Sequence, residues 1–61
     1  MLFDNVIIHY YPEIECVAKC AVHLRNGNKI VSRIALKDPN AACNWLMSRG
    51  YYKHVRTIVH W

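Results

Sequence analysis

The chain has 61 residues, a hydrophobic share of 54% and a formal net charge of +4. That length holds one domain and excludes a second. The hydrophobic share argues against disorder, and no apolar run reaches the ~18 residues a membrane-spanning helix needs. The first eleven residues carry Asp4 and no basic segment, so they do not read as a secretory leader. With Met1 in front and no linker or repeat inside, the chain reads as one free-standing domain.

The charge is unevenly spread. Residues 1–15 hold Asp4, Glu13 and Glu15 with no Lys or Arg, a local charge of −3, and residues 16–61 carry +7. A basic body of this kind attracts acidic proteins or phosphate backbones. Three cysteines, Cys16, Cys20 and Cys43, are too few and odd in number for a disulfide framework. They point to free thiols and a cytoplasmic setting. A chain this short buries only ~60% of its unfolded surface, so a homodimer is expected to supplement its core.

In chain order, Asn5–Tyr11 is β-branched and aromatic, ends at Pro12, and reads as a short exposed edge strand with a turn at Pro12-Glu13. Residues 14–25 alternate, with Ile14, Cys16, Ala18, Cys20, Val22 and Leu24 on one side, and read as one half-buried strand. Asn26-Gly27-Asn28 reads as a three-residue hairpin loop. That loop pairs Leu24 with Ile30, Val22 with Ser32, Cys20 with Ile34 and Ala18 with Leu36, which keeps one face apolar. A strand over 29–36 follows. Asp38-Pro39 opens a helix and Gly50 closes it. Ala42, Trp45 and Leu46 form its apolar stripe. Residues 51–61 read as the last strand, with Val55 and Val59 toward the helix.

The fold class is therefore α+β, in the order β-β-β-α-β: a small antiparallel-rich sheet with one helix packed on one face. The alternation assigns Lys19, His23, Arg25, Lys29, Val31, Arg33, Tyr52, His54, Arg56 and His60 to the face the helix leaves open. Basic groups interleaved with rings suit an acidic protein surface or, alternatively, a nucleic acid. Val17, Ala21, Val31 and Ala35 are expected at the central positions of that face, where nucleic-acid-binding sheets carry rings. The partner-binding set is thus Lys19, His23, Arg25, Lys29, Arg33, Tyr52, His54, Arg56 and His60.

Catalytic and metal chemistry is not expected, and no cofactor is implied. Cys16 and Cys20 on one strand lie ~13 Å apart, too far to share a metal or a disulfide. His54 and His60 lie ~20 Å apart along a strand, too far to serve one phosphodiester as base and acid. The three cysteines read as small buried hydrophobes. In size and element order the chain resembles very small phage-encoded proteins that dock on a host machine and inhibit it. The expected function is a non-catalytic regulator or inhibitor of a larger protein, engaged through the basic face or through an exposed edge strand such as 5–11.

Overall fold

The computed structural model describes residues 3–51 and 54–61. Four strands and one helix follow in the order β1 (Asn5–Tyr10), β2 (Cys20–Asn26), β3 (Lys29–Leu36), α1 (Pro39–Ser48) and β4 (Val55–Val59). The sheet order is β3-β2-β1-β4. Neighbours β3–β2 and β2–β1 are antiparallel, and β1–β4 is parallel. This is the α+β architecture expected from the sequence, with a mixed sheet.

The helix is set by its ends. The Asp38 carboxylate accepts a hydrogen bond from the Ala41 N–H at 2.8 Å, and Pro39 occupies the first turn, where a missing N–H is harmless. At the other end the Gly50 N–H donates to Met47 O and the Tyr51 N–H donates to Leu46 O. This closing pair needs a left-handed residue after the helix, and Gly50 supplies it with φ +73°. Ala42 and Leu46 then press on Val6 and Ile8 of β1 and on Cys20, Val22 and Leu24 of β2. Phe3, Tyr10, Ile34, Leu36, Trp45 and Tyr51 pack around this core, half-buried. Trp45 is shielded on its outer side by the Arg49 guanidinium, 4.7 Å from the ring centroid.

The strand expected over 14–25 begins only at Cys20. Alternation is not enough for a strand, because its N–H and C=O groups also need a neighbour. Beyond Tyr10↔Cys20 and the Tyr11 N–H to Lys19 O bond, Pro12 has no N–H to give. On the other side β3 ends at Leu36, just before the helix cap. Residues 12–18 therefore form the connection, and Ile14, Cys16 and Val17 are exposed. Only Cys20 of the three cysteines is buried; Cys43 is exposed on the outer side of α1.

The β2–β3 register also differs from the expected one. Asn26 pairs with Lys29, so the loop is the two-residue Gly27-Asn28, with Gly27 at φ +60°. The Asp4 carboxylate holds this turn by accepting from the Gly27 N–H at 3.1 Å. Continued unbroken, such a loop would set Val22 against Arg33. A bulge beside Leu24/Arg25 shifts the register by one and restores Val22↔Ile34 and Cys20↔Leu36. The pairs lie two residues from those expected, and an even shift preserves the faces.

The strand over 5–11 is not an edge. It lies between β2 and β4, and the edges of the sheet are β3 and β4. The last strand is confined to Val55–Val59.

Both helix ends give a measurable expectation. Asp38→Ala should lower stability by about 1 kcal/mol through the lost cap. Gly50→Ala should cost about 1–2 kcal/mol, the penalty of a left-handed Ala, since a Cβ there meets nothing within 4 Å. Urea unfolding midpoints measure both, and an unshifted midpoint in either variant contradicts the cap assignment.

Candidate partner-binding face

The sheet face away from the helix is built in rows by the register. Val6 and Ile8 point into the core, so Ile7 and His9 of β1 point to the open side. Ile7 stands between His23 of β2 and Arg56 of β4, and Arg33 of β3 follows His23. The next row is Ala35, Ala21, His9 and Ile58. Beyond it, backbone bonds bring Lys37, Lys19 and Tyr11 side by side, and the Tyr11 ring stacks on His60 at 4.4 Å. All four acidic residues, Asp4, Glu13, Glu15 and Asp38, lie outside the strands.

The centre of this face is a chain of rings. His9 Nδ1 and His60 Nε2 share a hydrogen bond of 2.9 Å, one nitrogen donating and the other accepting. The His9 ring also lies 4.6 Å from that of His23. Desolvation pushes the His9 pKa below its ordinary 6.5, helped by the nearby His23, His60 and Arg25. Desolvation lowers that of His23 too, with Arg33 and Arg25 adding repulsion. Two central imidazoles are thus held toward the neutral form inside a rim of guanidinium groups. Ile7, only 6% exposed, seals the floor beside them although it lies outside the helix-side core.

At one end of the face an open cleft of about 520 Å³ runs between β1, the start of β4 and the β2–β3 turn. Ile7, Arg25, His54 and Arg56 are among its lining residues. His54 enters β4 with a left-handed φ of 55°, uncommon outside glycine, and its carbonyl accepts from the Val6 N–H. Arg25 donates to Asn28 O at 3.2 Å, and its Nε is buried without a partner.

Of the residues assigned to this face from the sequence, Lys19, His23, Arg25, Arg33, Arg56 and His60 are brought together by the register. The Lys19 ammonium donates to Pro12 O at 3.4 Å, so it leans toward the connection. Lys29 pairs with Asn26 beyond the bulge, where the alternation has changed phase. His54 stands at the cleft rather than beside His60, and Tyr52 lies outside the described residues. Of the expected central positions only Ala21 holds, on β2. Val17 is in the connection and Val31 and Ala35 are on an edge strand, and the two central strands also carry His9 and His23.

Taking 5–11 as an edge strand hides His9 and Tyr11, which the face gains only with β1 between β2 and β4. The signal was present: Val6-Ile7-Ile8 is apolar on both alternating sides, which marks a strand covered on both faces. Among the described residues, no group of three or more His, Cys, Asp or Glu is arranged to hold a metal ion. No described helix is long and apolar enough to cross a membrane. No protein-family model, curated protein or solved structure matches the chain.

The ring cluster sets a pH dependence. The folded pKa values of His9 and His23 lie below the unfolded value near 6.5, so below that pH the unfolded chain binds more protons. Stability is full above the unfolded value and falls as the pH drops toward the folded ones. The thermal midpoint should decline from about pH 7 to about pH 5, and a His9→Gln/His23→Gln variant should flatten that decline. A wild-type midpoint that stays level across the window would contradict this.

Proposed function

We propose that this chain is a small non-catalytic regulatory or inhibitory protein that binds a larger protein with an acidic surface through its open sheet face. One observation carries the reading: Arg25, Arg33 and Arg56 flank a floor of Ile7, His9 and His23, and the four acidic side chains lie outside the strands, with Asp4 alone near this face at the β2–β3 turn. Guanidinium groups over a sealed apolar floor join directed hydrogen bonding to water exclusion, the combination found at interface hot spots. Complementary charge would steer an acidic partner onto the rim. The non-catalytic reading is supported by His9 and His60, which spend ring nitrogens on each other. A cytoplasmic setting fits the three free thiols.

The charge pattern predicts that Arg33→Glu with Arg56→Glu abolishes partner capture and leaves the circular dichroism spectrum unchanged, since both side chains are exposed. The assay is affinity capture from nuclease-treated lysate. The wild type should recover one protein stoichiometrically, and recovery of none overturns the reading.

A second reading, single-stranded nucleic acid, is favoured by His9 and His23 on the central strands, where sheet-type binders carry rings. Tyr11 and His60 weigh against it, because each already covers a face of the other. Under this reading affinity should fall with salt on a log–log line, with a slope of about −0.7 per phosphate contacted. The absence of any mobility shift with DNA or RNA at low salt eliminates it.

A further inference from the structure

We propose that β4 is the seam of a two-fold symmetric homodimer, in which the Val55–Val59 strands of two copies pair antiparallel with Thr57 opposite Thr57. The two edges of the sheet are not alike. Edge strand β3 carries Lys29 and Arg33 and is itself bulged at Val31, devices that discourage strand addition. Edge strand β4 reads Val-Arg-Thr-Ile-Val, with one charge and no proline. An unprotected edge is a template for a further strand.

The hydrogen-bonding phase of β4 suits this pairing. His54 O accepts from the Val6 N–H, and the His60 N–H donates to Tyr10 O. In a parallel ladder alternate residues face the neighbour, so residues 54, 56, 58 and 60 serve β1. Val55, Thr57 and Val59 then turn their N–H and C=O groups outward. With Thr57 on the two-fold axis, each outward group meets its complement: Thr57 exchanges two bonds with Thr57 of the second copy, and Val55 exchanges two with Val59. The order of side chains is self-matching as well. Val55 meets Val59, Thr57 meets Thr57, and Arg56 meets Ile58. The two Arg56 side chains fall on a diagonal ~7–8 Å apart rather than opposite each other.

Packing supplies the driving force. Helix α1 contacts β1, β2 and β3 but not β4. The helix-side residues of β4 are therefore uncovered: Val55 is 38% exposed, Val59 43%, and Trp61 just beyond the strand 87%. A second copy related by an axis perpendicular to the sheet would join the two sets of valines into one apolar strip between the helices. Such a contact is isologous, and the symmetry closes it at two copies. It also suits a second copy better than an unrelated strand, which has no need of a self-matching sequence. Both open faces would end up on the same side of one eight-stranded sheet.

The test is light scattering coupled to size exclusion over a dilution series, in reductant because Cys16 and Cys43 are exposed. Wild type should run at twice the 7.2 kDa chain mass. Thr57→Pro takes away the outward N–H that the seam uses, at a position where edge strands tolerate proline, and it should run at the chain mass with an unchanged circular dichroism spectrum. If that variant does not fold, Val59→Lys makes the same test by placing charge in the strip. A wild type that is monomeric throughout, or a dimer that survives in folded Thr57→Pro or Val59→Lys, overturns the proposal.

Discussion

The structure depends on one constraint: β1 must be covered on both faces. Its Val6-Ile7-Ile8 segment is almost wholly buried, with Val6 and Ile8 under α1 and Ile7 on the opposite side. A strand apolar on both sides cannot stay at an edge facing water. It takes the middle of the sheet, with β2 on one flank and β4 on the other. The parallel placement of β4 follows from the chain path. Helix α1 carries the chain back over the sheet, past β2, to the free side of β1, so β4 runs in the same direction as β1.

That placement assembles the open face. His9 comes from the centre of β1, His23 from β2 and His60 from the end of β4, and they meet only because β1 separates the other two strands. The guanidinium groups of Arg33 and Arg56 then sit toward opposite edges. Burial holds the central imidazoles toward the neutral form, helped by repulsion from Arg25 on both rings and from Arg33 on His23, so the charge of the face is concentrated on its rim. Under the proposed function, folding and recognition would share residues here, because the rings that complete the floor are also the surface a partner would meet.

What was legible in the sequence was local. Asp38-Pro39 and Gly50 mark the helix ends through chemistry confined to a few neighbours, and both positions hold. Strand β3 and the faces of Cys20, Val22 and Leu24 follow from alternation, and they survive the register shift because it is even. What was not legible was pairing. Residues 14–18 alternate as well as any strand, yet no neighbour remains to bond them. The bulge near Leu24 answers a conflict between turn length and face that appears only when both strands are in place. The order β3-β2-β1-β4 is a long-range choice, and misplacing β1 at an edge concealed His9 and Tyr11. The cationic rim was visible from composition and alternation, while the ring cluster inside it required the topology.

The most direct test of this account is a pH titration of the imidazole nitrogens by long-range proton–nitrogen NMR on the uniformly labelled chain. The account predicts a coupled His9 Nδ1–His60 Nε2 pair, with His9 and His23 taking up protons below the ordinary value of 6.5. A His9 Nδ1 that shows no coupling to His60 would contradict the placement of β1 beside β4, and with it the face that placement builds.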